Sequence, residues 1–333
     1  PLITRLGESG PGGGTGNWKA IFGNGYNSTN GDSILYSVDL FTGSATKITV
    51  DSGGGGLSAP ELVLEPTSRR FTSRVYAGDL DGTVWRVDFD DSGTPSVKYP
   101  NGLFTTANNR PITSAPGLAA SPSGGLLVYV GTGKLLETND RLSTDFESFY
   151  AVRDQGSALG ANPALGSVSV SNAGNNVEFV GNPGADGWVL DLTDAGERVV
   201  EPPRILFGQL IFSSFEPLND PCDTGGSQRL YVLDATTGSG ELDDICANCG
   251  VIDFGSGGPI APPLVITPPP SPGSGPPPND PTDPFADPGG NLPGGSAVGA
   301  LTGWCATLGA TDGATTTQLG QICDGRQVWR QVR

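Results

Sequence analysis

Along most of the chain the apolar residues come in short runs broken by Gly, Asp, Asn and Thr-Gly, with no sustained 3.6-residue periodicity. That pattern predicts strands joined by turns and almost no long helix. Several segments repeat one plan: an apolar strand, a Gly-Asp or Gly-Asn turn, a second strand and a closing Asp. The first is Ala20-Ile21-Phe22-Gly23-Asn24-Gly25, answered by Ile34-Leu35-Tyr36-Ser37-Val38-Asp39 and then Thr42-Gly43. A clearer copy runs from Arg74-Val75-Tyr76-Ala77-Gly78-Asp79 to Thr83-Val84-Trp85-Arg86-Val87-Asp88, with Asp81-Gly82 between them predicting a two-residue hairpin turn. The third pairs Leu127-Val128-Tyr129-Val130-Gly131-Thr132-Gly133 with Ser148-Phe149-Tyr150-Ala151-Val152 beyond an insertion. A fourth pairs Val177-Glu178-Phe179-Val180-Gly181 with Asp186-Gly187-Trp188-Val189-Leu190-Asp191-Leu192, and the last is Leu230-Tyr231-Val232-Leu233-Asp234 before Thr237-Gly238. Copies about 40 to 55 residues apart have the spacing of four-stranded propeller blades with insertions, so the expected fold is all-β, a β-propeller with at least four blade-like sheets.

Each part of the repeat has an expected job. Gly supplies the positive φ of tight turns, and the closing Asp accepts backbone N–H groups at the corner. The rings of Tyr76, Trp85, Tyr129, Trp188 and Tyr231 pack between neighbouring sheets as core rather than serving as ligand platforms. From Pro259 to Pro293 the texture changes, and nearly half of the 29 prolines fall there. Neither a helix nor a central strand survives such a stretch. The expected organisation is therefore blades over 1–258, a Pro/Gly-rich surface excursion over 259–300, and a strand or hairpin over 301–333 that returns to the propeller.

Composition narrows the chemistry. The 333 residues include 52 Gly and 29 Pro but no His and no Met. Lacking imidazole, the chain has no His-based triad or His metal ligand, which leaves carboxylates, Lys, Tyr, Cys or a bound cofactor. A chain without Met that opens in mid-pattern is expected to be a piece of a longer protein. The net charge of -17 argues against nucleic acid or anionic lipid as a partner, and no apolar run reaches the roughly 18 residues that span a bilayer. The five cysteines cluster late, at Cys222, Cys246, Cys249, Cys305 and Cys323. Cys246 and Cys249 have the spacing of half a zinc site, but two further ligands would have to come from distant cysteines, and Gly250 stands where a c-type haem motif needs His. Disulfides in an exported protein are the preferred reading: Cys305 with Cys323, and Cys222 with Cys246 or Cys249.

Several motifs occur in an order that resembles one family. They are Phe22-Gly23-Asn24-Gly25-Tyr26-Asn27-Ser28, Val75-Tyr76-Ala77-Gly78-Asp79-Leu80 with Trp85-Arg86, and Val130-Gly131-Thr132-Gly133-Lys134. Gly187-Trp188, Gly196-Glu197-Arg198-Val199-Val200, Asp220-Pro221-Cys222 and the closing Gly325-Arg326-Gln327-Val328-Trp329-Arg330-Gln331-Val332-Arg333 follow in the same order. Together they resemble the C-terminal β-propeller of the PilY family, the type IV pilus tip-associated adhesin and assembly proteins. The resemblance implies an exported, extracellular, calcium-responsive propeller that sits at the pilus tip with minor pilins. It also implies support of pilus assembly and of attachment to a host or abiotic surface, with an N-terminal region and opening blades upstream.

One departure bears on calcium, the only cofactor the resemblance raises. Calcium-binding members carry an alternating Asp-rich loop before the strand matching Val75-Tyr76-Ala77-Gly78-Asp79, whereas this chain has Glu65-Pro66-Thr67-Ser68-Arg69-Arg70-Phe71-Thr72-Ser73. One Glu beside two arginines cannot supply the six to eight oxygens of a calcium site. Asp79 and Asp81 are the nearest candidate metal oxygens, with turn capping as the alternative role. No catalytic residue is expected. The competing enzyme reading is a quinoprotein-like propeller dehydrogenase, whose blade repeat Tyr231-Val232-Leu233-Asp234-Ala235-Thr236-Thr237-Gly238 is similar. Such an enzyme needs a calcium-bound quinone, a carboxylate base and an aromatic floor gathered at one place, and that cluster is not evident. A generic extracellular binding scaffold is the third reading.

Overall fold

A computed structural model describes residues 1–7, 18–64, 71–160, 163–170, 177–180, 184–218, 225–242, 248–257, 264–266, 305–311 and 316–323. Its elements are strands and two short 3₁₀ turns. Blade one is β1 (Leu2–Arg5), β2 (Trp18–Gly23), β3 (Ser33–Asp39) and β4 (Ala45–Asp51), hydrogen-bonded in chain order. Blade two is β5 (Glu61–Leu64), β6 (Thr72–Gly78), β7 (Thr83–Phe89) and β8 (Pro95–Val97), with β9 (Phe104–Thr105) also pairing with β7. Blade three starts with β10 (Gly117–Ala120), β11 (Leu126–Gly131) and β12 (Ser148–Asp154), followed in the chain by β13 (Leu165–Val170), β14 (Val177–Val180) and β15 (Gly187–Asp191). Blade four is β16 (Arg204–Leu206), β17 (Gln209–Pro217), β18 (Gly226–Asp234) and β19 (Val251–Gly257). A three-stranded sheet of β20 (Leu264–Ile266), β21 (Cys305–Thr311) and β22 (Thr316–Cys323) follows.

The fold is the expected all-β arrangement of blade-like sheets, four-stranded in blades one and four, with β9 added to blade two and six strands in blade three, and its core lies between blades. Side chains alternate across a strand, so a strand between two other sheets must be apolar on both faces. Val75 and Ala77 of β6 join Trp85 and Val87 of β7 against Ile21 and Leu35 of blade one. Tyr76 and Val84, on the opposite face, pack against Val128, Val130, Tyr150 and Val152 of blade three. Blade three repeats the device toward blade four, where Phe149 stacks on Phe212 with centroids 3.9 Å apart and Phe212 on Tyr231 at 4.5 Å. The rings expected in the core are there: Tyr76, Tyr129, Trp188 and Tyr231 are fully buried and Trp85 is 4% exposed.

Four sequence expectations are corrected. The fourth copy is not a separate hairpin: β14 pairs with β13, while β15 crosses to pair antiparallel with β12 and parallel with β13. Trp188 thereby enters the blade three core beside Phe149, at 6.2 Å between centroids, and that burial draws β15 across the intervening segment. The β6–β7 turn is not a two-residue loop. It spans Asp79 to Gly82, closed by the Gly82 N–H to the Asp79 carbonyl, with Gly82 at φ 76°.

The third correction concerns the strand-ending glycines Gly23, Gly78 and Gly131, none of which has positive φ. A Cβ on each would strike the segment leading into the next blade: 2.2 Å from the Ser58 carbonyl oxygen, 2.3 Å from Ile112 Cγ2 and 2.4 Å from Val199 Cβ. Real Cβ atoms do not approach so closely, so Gly is there for close approach rather than for a turn. The fourth concerns the closing aspartates. Asp39 and Asp234 do cap their corners, the first accepting from the Phe41 and Thr42 N–H groups and the second from those of Thr236 and Thr237. Asp88 instead pairs with Arg86, and Asp90 caps that corner from Ser92 and Thr94.

Within the Pro-rich stretch β20 occupies a proline-free window at the edge of its sheet, where a short strand next to prolines is tolerated. The remainder of 259–300, and 324–333, lie outside the described residues. Among the described residues no helix is long and apolar enough to cross a membrane.

Candidate functional site

At one end of the blade stack the loops after β2, β6 and β11 meet the connectors that lead from each blade to the next. The contacts repeat. The Gly25 N–H donates to the Leu57 carbonyl and the Ser58 N–H to Gly78; the Ile112 N–H donates to Asp79 and the Gly133 N–H to Pro111. Between blades three and four, the Val199 N–H donates to Thr132, while Arg198 and Phe215 exchange two backbone bonds. Each connector is thus fastened to the blade it leaves and the blade it enters, which is why the strand-ending glycines must leave room for it.

Side chains reinforce the same seams. Asp154, at the end of β12, accepts from Tyr76 (2.6 Å), Arg86 (2.8 Å) and Tyr99 (2.8 Å), all of blade two. Burial alone would raise its carboxyl, but those donors and the Gly156 N–H together hold it below the usual range. The same burial, helped by the Asp154 contact, pushes Tyr99 up to about 12.

Glu197 and Arg198 divide the labour between blades three and four. Glu197 accepts from Tyr231 (2.8 Å), Arg229 (2.8 Å) and Ser214 of blade four. Arg198, 3% exposed, donates to the carbonyls of Gly196 (2.8 Å), Lys134 (2.8 Å), Asp140 (2.6 Å) and Ser143 (3.1 Å). It therefore folds the insertion 132–147 onto the connector. Burial lowers the Arg198 pKa while nearby carboxylates, Glu147 first, oppose that shift.

The insertion carries a 3₁₀ turn at Thr138–Leu142, started by Asp140 Oδ2, which accepts from the Leu136 and Glu137 N–H groups. It presents Leu136, Leu142 and Phe146 to solvent at 44%, 52% and 61% exposure, beside a cleft. One lobe of about 390 Å³ is lined by Ala107, Asn108, Arg110, Phe146, Glu147, Ser148, Asp191 and Leu192. A smaller one of about 70 Å³ shares Arg110 and Glu147 and reaches Lys134, Asp140, Asp145 and Arg198. Arg110 pairs with Asp145 at 2.8 Å. The Ser148 hydroxyl donates to Asp191 at 2.8 Å. Burial pushes the Glu147 carboxyl up, opposed by the Thr132 hydroxyl and the two arginines.

The residues singled out in the sequence lie elsewhere. Asp79 is fully buried, with Oδ1 accepting the Thr83 N–H (2.8 Å) and Oδ2 the Trp85 indole N–H (2.6 Å). Burial pushes its carboxyl up to about 6, with the Asp81 and Asp51 charges adding to the rise. Asp81 is exposed on the turn. With both Asp79 oxygens engaged, the pair does not fit a calcium ion, and among the described residues no three His, Cys, Asp or Glu side chains gather to hold a metal. Segment 65–70 lies outside the described residues, as do Cys222 and Cys246. Cys249 is buried and disulfide-bonded, and the β21–β22 register sets Cys305 opposite Cys323. Glu147, Arg110 and Phe146 carried no sequence signal. They stand in an insertion of mixed polarity whose shape depends on Arg198, a residue noticed only within the Gly196-Glu197-Arg198-Val199-Val200 motif.

Comparison with known proteins places this architecture. The profile of the PilY1 beta-propeller domain matches residues 13–186, more than half of the chain. A type IV pilus biogenesis factor PilY1 homolog of Xylella fastidiosa is 31% identical over 274 residues, 69% of this chain and 18% of that protein. The type IV pilus biogenesis factor PilY1 of Pseudomonas aeruginosa strain PAO1 is 32% identical over 304 residues, 72% of this chain and 25% of that protein. The crystal structure of the Pseudomonas aeruginosa PilY1 C-terminal domain superposes with a TM-score of 0.57 at 26% identity, covering 72% of this chain and 58% of that one. The chain thus spans only a minor part of the curated relatives' length.

Proposed function

The chain belongs to the PilY1 family, and from that membership we propose that it is the propeller part of a non-enzymatic type IV pilus component, exported to the outer cell surface and carried at the pilus tip. In this reading it works with minor pilins to support pilus assembly and extension, and it contributes to attachment to a host or abiotic surface. The observation that carries the reading is the family match over residues 13–186, most of blades one to three, together with relatives that are pilus biogenesis factors. The structure supports it in a second way: the connectors and the Asp154, Glu197 and Arg198 contacts hold the blades as one block that offers an exposed loop face, as a binding module requires.

Two finer points belong to the same proposal. Calcium is not held at Glu65 to Ser73, because Arg69 and Arg70 oppose a divalent cation there and one carboxylate cannot replace its water shell. Cys305 pairs with Cys323, and Cys222 with Cys246 or Cys249. The proposal is tested by co-purification of the chain with the minor pilins of its own organism. Retention of minor pilins, absent with the blades unfolded, is the expected result; no retention at any ratio contradicts the tip reading.

A further inference from the structure

The wide lobe of the cleft holds an exposed carboxylate that no cation among the described residues answers. The other exposed charges of the cleft are matched: Arg110 pairs with Asp145 at 2.8 Å and Lys134 with Asp140 at 3.0 Å, while Arg198 is engaged by four carbonyls. Asp191 is exposed at the end of β15, and its one side-chain bond among the described residues is a neutral one, from the Ser148 hydroxyl at 2.8 Å.

An exposed ring stands on the same side of the sheet. Ser148 and Asp191 are directly opposed across the β12–β15 pair, and the Leu192 N–H donates to the Glu147 carbonyl at 3.0 Å, so the ladder runs one step beyond them. Alternation then returns Phe146 to the side of Ser148 and Asp191, diagonal to the carboxylate, a placement that separates backbones by about 7–8 Å. All three line the same lobe of about 390 Å³. Phe146 is 61% exposed in a molecule whose blade-core rings are buried.

A carboxylate diagonal to an exposed ring, in a cleft open to water, suits a long basic side chain: its charged head meets the carboxylate while its stem or guanidinium plane lies on the ring. Arg110 does not repel that head, because Asp145 neutralises it. An anion would face Asp191 in a chain of net charge -17, a charge that also draws cations toward the surface. A free amine would leave Phe146 and the neighbouring Leu136 and Leu142, 44% and 52% exposed, in water, whereas a peptide covers them.

We infer that the lobe between Phe146 and Asp191 is a docking point for a partner protein, taking one Lys or Arg side chain from a segment whose flanking residues are apolar and cover the insertion. The inference stands on these residues and holds whether or not the partner belongs to a pilus.

Amide-shift titration of the isotope-labelled 333-residue chain tests it. The probes are three capped pentapeptides, Gly-Leu-Lys-Leu-Gly, the same peptide with its lysine acetylated, and Gly-Leu-Glu-Leu-Gly, with lysine amide as the free cation. The lysine peptide should shift the amides of 146–148 and 191–192 saturably and bind more tightly than lysine amide, and neither uncharged nor acidic peptide should do so, since acetylation removes the charge. Asp191→Asn keeps an acceptor for Ser148 and should weaken the lysine peptide about two- to fivefold at low salt, as loss of an exposed ion pair does. Phe146→Ala should cost a similar factor of about two to five, and both variants should melt with the wild type because both side chains are exposed. The inference is overturned if the lysine peptide gives no such shifts, if the acetylated peptide binds as tightly, if lysine amide matches the peptide, or if binding survives unchanged in the Asp191→Asn, Phe146→Ala double variant.

Discussion

Asp79 sits where burial and function-free geometry oppose each other. Its two oxygens are saturated by Thr83 and Trp85, yet its carboxyl is raised to about 6 because it is dry and close to two other acids. The folded state therefore holds the proton more tightly than the unfolded chain, whose Asp titrates near 3.9. It follows that the Asp79 contribution to stability is greatest below pH 4 and declines as pH rises to about 6. Asp79→Asn removes that slope: denaturant midpoints of wild type should fall relative to the variant between pH 4 and 6, and parallel curves would refute the assignment. The glycine reading makes a sharper prediction. Gly78→Ala drives a Cβ into Ile112 Cγ2 and should destabilise by about 1–3 kcal/mol, as overpacking does. Ile112→Ala alone opens a hole and also destabilises. In the double variant the clash is gone, so the combined loss should be clearly smaller than the sum. Additive losses would mean that Gly78 is required for backbone conformation after all.

At the scale of elements the connectors matter more than the blades' outer strands. Arg198 reaches four carbonyls, three of them in the insertion 132–147, with a planar fork that Lys cannot reproduce. Arg198→Lys should cost about 1–3 kcal/mol and speed amide exchange across 134–145 while β11 and β12 stay protected. Uniformly faster exchange in both would show that the insertion is not a separately held element. The disulfides belong to this scale too. Closing these loops should add about 2–4 kcal/mol, and non-reducing peptide mapping should recover Cys305 with Cys323; a Cys305–Cys222 peptide would contradict the proposed pairing. The β2–β3, β6–β7 and β11–β12 pairings of blades one to three were legible in the sequence, because apolar runs there are matched in pairs; in blade four only β18 was, not the strands it pairs with. The move of β15 was not, because its partner lies beyond the separate β13–β14 hairpin and is chosen by where Trp188 can be buried. The glycines were legible as necessary but for the wrong cause, since a turn and a close approach select the same residue.

At the scale of the whole molecule, the four blades share three interfaces among the described residues, and the rings Tyr76, Trp85, Tyr129, Trp188 and Tyr231 were predictable as core once the repeat was seen. What the repeat could not disclose is the loop face. Glu197 and Arg198 read as two ordinary charges in a motif, and Glu147 as one acid among many, until the connectors bring them together. The family expectation of calcium and the residues at 65–73 also part at this scale: isothermal titration of the chain with calcium should show no tight uptake that Glu65→Gln removes, and such uptake would favour the family's pattern over this chain's residues. The central claim is that this propeller works at the tip of a type IV pilus. Immunogold labelling of pili from the organism that encodes it, with antibody to the four blades, tests that claim most directly. Label on the free ends of fibres, lost when the major pilin is deleted, is the predicted result. Label confined to the cell envelope, and unchanged by that deletion, would contradict it.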